Sequence, residues 1–325
     1  MSDSKAVCVL GMHRSGTSAV TGVLNLLGVY LGENLYAPHP GVNEKGYWEH
    51  GNIVDLHDSM LLTLDSSWDD ILPLPHQWWN DPVVQPYRAK LLRYVRRDFS
   101  NAPVWGLKDP RLCRLLPLWF DIFKEAGVEP RFFIMVRNPM EVAKSLERRD
   151  HFPTEKSLFL WLLHTLAAEW ETRDYKRAFV NYDELLLDPV RILIQIEKIL
   201  QFSWPNPVSQ VSLAIKEFLS PHLRHHRETH VPTDTGLEKL VYNTYQNCCA
   251  AALGEGTDLN QLFNSLQNDF DAFIKSFDPL LLIHLLGVSR QRAHLQAEIN
   301  KIYMSLSWKL TKPVRFVQRL LNLDN

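Results

Sequence analysis

The chain has 325 residues and only four cysteines, Cys8, Cys113, Cys248 and Cys249, with no CxxC spacing among them. That excludes a disulfide framework, and all four are expected to pack as reduced core residues. Charge of one sign is also missing: the formal net charge is −2. A nucleic-acid-coating surface is therefore excluded, while a local basic pocket is not. No apolar run approaches the ~20 residues of a spanning helix. The opening MSDSKAVCVLG is too short in its apolar part for a signal peptide and ends in a glycine loop. Repeats and low-complexity segments are absent. Together these absences point to a cytoplasmic, reducing location. The apolar share of 46% supports an ordinary buried core, in one large α/β domain with extensions or in two smaller ones.

What is present is an alternation of short apolar runs and helical patterns. Ala6–Leu10 reads as a strand, closed by Gly11 and a polar loop, and Ser18–Leu27 as the following helix. A helix is expected around Ile53–Leu64, an irregular excursion over Trp68–Pro86 and a basic amphipathic helix over Tyr87–Phe99. Val104–Leu107, Phe132–Val136 and Ala178–Asn181 are further strands, with a helix over Glu155–Tyr175 and another after Pro189. Lys108-Asp109-Pro110 and Arg137-Asn138-Pro139 each place a capping residue before a helix-starting proline. Glu141, three residues after Asn138, completes a capping box. The expectation is a three-layer α/β/α fold of the P-loop NTPase type, with a mainly parallel sheet and ligands at the carboxyl ends of its strands.

The loop Gly11–Ser18, GMHRSGTS, is the most informative segment. Small residues between strand and helix aim backbone N–H groups at one point, where the helix dipole adds positive charge. The glycine spacing is that of a Walker A loop, but Thr17 stands where the Walker lysine belongs. A kinase or NTPase uses that lysine at the β/γ-phosphates. Here the fixed charge comes earlier, from Arg14, which suits a terminal phosphate or sulfate. His13 is placed to help position such a group.

On these residues the sequence resembles the sulfotransferase family that uses 3′-phosphoadenosine 5′-phosphosulfate. Arg14–Ser18, RSGTS, is similar to the 5′-phosphosulfate loop of the carbohydrate and tyrosyl-protein members. The resemblance thus implies donor contacts for His13, Arg14, Ser15, Gly16, Thr17 and Ser18. VRNPMEVAKS supplies a strand-end arginine, Arg137, and a serine eight residues later, Ser145. By resemblance these two bind the 3′-phosphate. WGLKDPR resembles the segment whose lysine stabilises the transferring group, which gives that role to Lys108, with Arg14 as second cation. GYWEHGN resembles the segment carrying the catalytic base in bacterial relatives and gives that role to Glu49, with Glu44 in reserve. Tyr47 and Trp48 would lower the polarity around that carboxyl and raise its pKa. Arg111 is left open between a structural role and contact with the acceptor. Asn181–Pro189, NYDELLLDP, also resembles a family segment, whose Tyr182 and Asp183 would anchor the fold.

The resemblance covers roughly residues 5–200. It implies a sulfotransferase P-loop domain over 1–220; the residue pattern beyond it reads as a helical extension packed on that domain over 221–304 and a basic amphipathic tail over 305–325. Sulfuryl transfer to a hydroxyl is implied, without a metal. The SWKLTKP segment is similar to tails of bacterial surface-polysaccharide enzymes, which turns the expected acceptor toward a glycan. The tail could also lie weakly on an anionic membrane. His222, His225, His226 and His230 lack a cysteine or carboxylate to complete a zinc set, so a loop touching cofactor or acceptor is preferred. Two alternatives stand beside this reading: a P-loop kinase or NTPase, and a nucleotide-binding module of the same fold without turnover.

Overall fold

A computed structural model describes residues 4–37, 46–219, 236–254 and 259–277, with isolated positions between 285 and 302. Glu44, the histidine-rich loop and the 305–325 tail lie outside the described residues.

Four strands, β1 (Ser4–Leu10), β2 (Val104–Lys108), β3 (Val128–Val136) and β4 (Arg177–Asn181), form one parallel sheet in the order β2-β1-β3-β4. Consecutive side chains of a strand face opposite sides, and β1 uses both. Ala6, Cys8 and Leu10 face a core built with α2 (Gly51–Thr63), α3 (Gln85–Asp98) and α4 (Leu112–Ala126). Val7 and Val9 face a second core built with α1 (Thr17–Leu26), α8 (Pro189–Leu200) and α9 (Val208–Phe218). The result is the expected α/β/α layering. A third apolar cluster joins α5 (Pro139–Asp150) and α6 (Thr154–Glu171) to α10 (Gly236–Leu253) and α11 (Leu259–Lys275). A short helix, α7 (Tyr182–Leu187), links β4 to α8.

The strands lie where the sequence placed them, except that β3 begins four residues earlier, at Val128, and runs through Pro130. Proline has no N–H to donate, so within a sheet it suits a position whose N–H would face no neighbouring strand. Here β4 starts opposite Phe132, so at Pro130 β3 pairs with β1 alone. Arrangement of the sheet also fixes where chemistry can occur. β1, β2 and β3 are neighbours, and their carboxyl ends release the Gly11–Ser18 loop, Lys108 and Arg137 along one edge.

Cysteines fit the reduced, packed expectation: Cys8, Cys113 and Cys248 are buried and free, and Cys249 is free and half-buried. Burial pushes the Cys113 thiol up to about 12. Its sulfur accepts a hydrogen bond from the Gly11 N–H at 3.1 Å, tying α4 to the start of the loop.

The first core rests on Trp105 of β2, fully buried and stacked on Phe99 with ring centroids 4.4 Å apart. Trp105→Ala should cost about 3–5 kcal/mol. The urea midpoint would fall while the slope stays constant; an unchanged midpoint would refute this view of the core.

Candidate active site

The loop takes its shape from three left-handed residues: Gly11 (φ 140°), Arg14 (φ 71°) and Gly16 (φ 87°). A Cβ on Gly16 would stand 2.3 Å from the Tyr182 ring, so glycine is required there for space as well as conformation. Gly16 is the N-cap of α1 and supplies no side-chain cap. The first N–H groups of α1 have no acceptor in their own helix, and they give the loop the character of an anion cradle. Two side-chain atoms of the loop, Ser15 Oγ and His13 Nε2, are buried without a hydrogen-bond partner.

One group of side chains gathers at the Arg14 end. The Arg14 Nε–H donates to Ser145 Oγ at 2.8 Å, and Arg137 Nη1–H donates to the Arg14 carbonyl at 2.9 Å. Arg137 also lies over the Tyr182 ring, 4.7 Å from its centroid. Asn138 caps α5 as expected, accepting from Met140 N at 2.9 Å and Glu141 N at 3.4 Å. The capping box is not completed in the expected way: the Glu141 carboxylate, fully buried, faces Arg137 Nε at 3.2 Å. A buried cation competes better for that carboxylate than a backbone N–H does.

A second group gathers at the Ser18 end. The Lys108 ammonium donates to Ser18 Oγ and to the Tyr47 carbonyl, each at 3.2 Å, and forms an ion pair with Glu49. Lys108 is 3% exposed and Glu49 6%. Trp48, which stands between Tyr47 and Glu49 in a left-handed conformation (φ 58°), turns the chain so that the Tyr47 carbonyl and the Glu49 carboxylate both reach Lys108. The sequence suggested an apolar wall of Tyr47 and Trp48 around Glu49. Instead its partner is an ammonium ion, and the Trp48 ring packs edge-on to Phe218 at 6.3 Å.

Beneath Lys108 lies a network that the sequence did not disclose. Asp109 was expected to cap the following helix, but α4 begins at Leu112 with Arg111 as its cap residue. One oxygen of the buried Asp109 carboxylate accepts from Arg111 N at 3.0 Å and Arg111 Nη1 at 2.9 Å. Its other oxygen is 2.7 Å from His57 Nδ1. The Trp119 indole N–H donates to His57 Nε2 at 2.9 Å. Arg111 forms a two-pronged pair with Asp58, at 2.5 and 2.9 Å. Burial alone would raise the Asp109 pKa, but Arg111 and His57 hold it well below the usual carboxylate range. His57 escaped sequence reading because nothing in α2's pattern separates it from a surface histidine.

The crevice is rich in cations. His13 is kept neutral by burial first and then by Arg149, Arg111 and Lys108 around it. Its ring leans on Trp68 at 4.3 Å, and Arg149 lies 5.4 Å from the same Trp68 ring. Burial, then Arg149 and Arg137, lower the Arg14 pKa. An anion among these groups would relieve their mutual repulsion.

No protein-family model and no curated protein matches the chain. Among solved structures, it is similar to the sulfotransferase domain of the Synechococcus PCC 7002 olefin synthase. That likeness covers 83% of this chain and 96% of that one, with 17% identity and a TM-score of 0.37. Among the described residues no helix is long and apolar enough to cross a membrane.

Two outcomes follow from the geometry. Gly16→Ala, with its Cβ against the Tyr182 ring and its backbone in the left-handed region, should destabilise the fold by about 1–3 kcal/mol and lower the urea midpoint. A midpoint equal to that of the parent would contradict the loop geometry. The second outcome concerns His164, which is fully buried on α6 with its pKa lowered to about 3, chiefly by desolvation. A depressed folded pKa means stability is intact above the unfolded value of ~6.5 and is lost as pH falls toward the folded value. By pH 5.5 the loss from this residue should be on the order of 1 kcal/mol. Urea midpoints should therefore drop between pH 7 and 5.5, and less steeply in His164→Gln; equal slopes would refute it.

Proposed function

We propose that this chain is a sulfotransferase that moves a sulfuryl group from 3′-phosphoadenosine 5′-phosphosulfate to a hydroxyl. The observation that carries the reading is that three adjacent strand ends bracket one anion-binding loop with two polar clusters. Arg14, Arg137 and Ser145 meet at one end of the loop; Lys108, Glu49 and Ser18 meet at the other. A donor with a phosphate on the 3′ side and a phosphosulfate on the 5′ side presents charge at two such places. Ser15 Oγ and His13 Nε2, buried and unpartnered, fit a ligand that brings polar atoms of its own.

The chain's groups then divide the work. Lys108 and Arg14 face the charge that grows on the transferred group and on the departing phosphate oxygen. As the donor's anion draws the Lys108 ammonium toward itself, Glu49 loses its partner and becomes available to the acceptor. The acceptor oxygen bonds to sulfur, the bond from sulfur to the bisphosphate oxygen breaks, and the hydroxyl proton passes to Glu49. Fixed cations suit a reaction in which catalysis is mostly positioning and charge stabilisation. A glycan acceptor is supported by the SWKLTKP resemblance alone, and the cytoplasmic location and weak membrane contact of the tail by sequence alone.

The kinase reading and the turnover-free module are separated from this one by binding and transfer measured together. Wild type should bind 3′,5′-bisphosphoadenosine more tightly than ATP–Mg and transfer labelled sulfate to an acceptor in a glycan screen. Lys108→Ala and Glu49→Gln should keep bisphosphate binding yet lose about 10²–10³-fold in transfer. Preference for ATP–Mg would overturn the proposal in favour of a kinase. Tight bisphosphate binding without transfer to any acceptor would favour the module.

A further inference from the structure

Lys108 is the last residue of β2, and its pairing with Val9 is the last rung between β2 and β1. Beyond it the backbone leaves the sheet, so the direction of the ammonium depends on what holds the next residue. That residue is Asp109, and its carboxylate is held by two segments at once. Arg111 binds one oxygen from the same turn, and His57 reaches the other from α2. Glu49, which pairs with Lys108, lies just ahead of the same α2.

The contacts form a register. Glu49, His57 and Asp58 of the α2 segment pair respectively with Lys108, Asp109 and Arg111 of the β2 exit. The middle rung has no exposed atoms on either side chain. It also has a defined proton position: because the Trp119 indole can only donate, His57 Nε2 must accept, and the hydrogen sits on Nδ1, facing Asp109. His57 thereby connects α2, the β2 exit and α4 through a single ring.

We infer that His57 is a positioning residue for the transfer step: its Nδ1–H, fixed by Trp119, sets the Asp109 carboxylate and through it the direction of the Lys108 ammonium. The inference rests on the proposed role of Lys108 in sulfuryl transfer. It does not make His57 a proton carrier, because no substrate can reach a ring with no exposed surface.

The test uses two polar variants of similar size. Asparagine at position 57 places an amide N–H where Nδ1 lies and keeps the bond to Asp109. Glutamine places its amide where Nε2 lies, keeping the partner Trp119 and losing Asp109. His57→Gln should lower kcat per folded molecule by about 10–100-fold, the scale on which a small misplacement of a catalytic group acts. Donor KM and bisphosphoadenosine affinity should stay within about threefold, because the lost interaction is one that grows in the transition state. His57→Asn should recover most of the rate. A residue that only supports folding would lower the folded fraction in both variants and leave the kcat of folded molecules alone; that result overturns the inference.

The nitrogen resonance of the Lys108 ammonium, read by NMR, separates this inference from the reaction it rests on. It should move in His57→Gln and hold in His57→Asn. An unmoved resonance in His57→Gln overturns the positioning role whatever the kinetics. If wild type transfers nothing while the resonance moves as expected, the reaction reading fails and the positioning role stands.

Discussion

The ion pair between Lys108 and Glu49 is the contact on which the arrangement of this crevice depends. Both side chains are withdrawn from water, where an unpaired charge is costly. Removing charges from water costs several kcal/mol per ion, which the pair offsets only if the remaining hydrogen-bonding positions are filled. Ser18 and the Tyr47 carbonyl fill those around the ammonium. That requirement explains the left-handed Trp48, which presents a carbonyl and a carboxylate from residues on either side of it. It also explains why the first turn of α1 must lie against the β2 exit.

The same logic runs along the crevice. Arg111 is balanced by Asp109 and Asp58, Arg137 by Glu141 and Arg149 by Asp150. Hence a chain with almost no net charge can hold a dense set of cations at one edge of its sheet. These cations each have a carboxylate companion. On the proposed function, an entering phosphate would compete with those companions instead of meeting bare charge. The Arg14 guanidinium also donates to the Ser145 hydroxyl, a group that can turn between donor and acceptor roles.

Much of this was legible because it follows from local rules. Alternating apolar runs and helical patterns gave four parallel strands, and the ends of adjacent strands must share an edge. Arg137 and Ser145 could be placed together because eight residues cover the strand end and two helical turns. Lys108 and Glu49 were found as separate residues, but their direct pairing is a tertiary fact with no local spacing to announce it. His57 and Trp119 were missed for the same reason, since each lies in a helix whose pattern is satisfied without them. Asp109 was read only in part: one carboxylate oxygen makes the cap-type bond to the Arg111 N–H, while the bond of the other to His57 is a contact across the crevice that no local spacing announces. Glu141 was misread, because a capping glutamate and an arginine-bound one have the same spacing from Asn138.

Strain at the loop follows from the same contacts. Arg14 is a non-glycine residue in the left-handed region, a conformation that costs of order 1 kcal/mol or more and persists only where surrounding bonds over-determine it. Its carbonyl is held by Arg137 and its side chain by Ser145, both carried by the β3–α5 segment. The turn at Arg14 is thus set by a strand end distant in sequence, and the loop and the Arg137 cluster are mechanically one unit. Trp48 repeats the pattern at the other end, its left-handed turn bracketed by two residues that bind Lys108. Each end of the anion cradle therefore has a strained residue clamped by a cation. On the proposed function, movement of either cation toward a ligand would loosen the backbone it clamps and so would couple anion binding to loop conformation through Arg137 and Lys108.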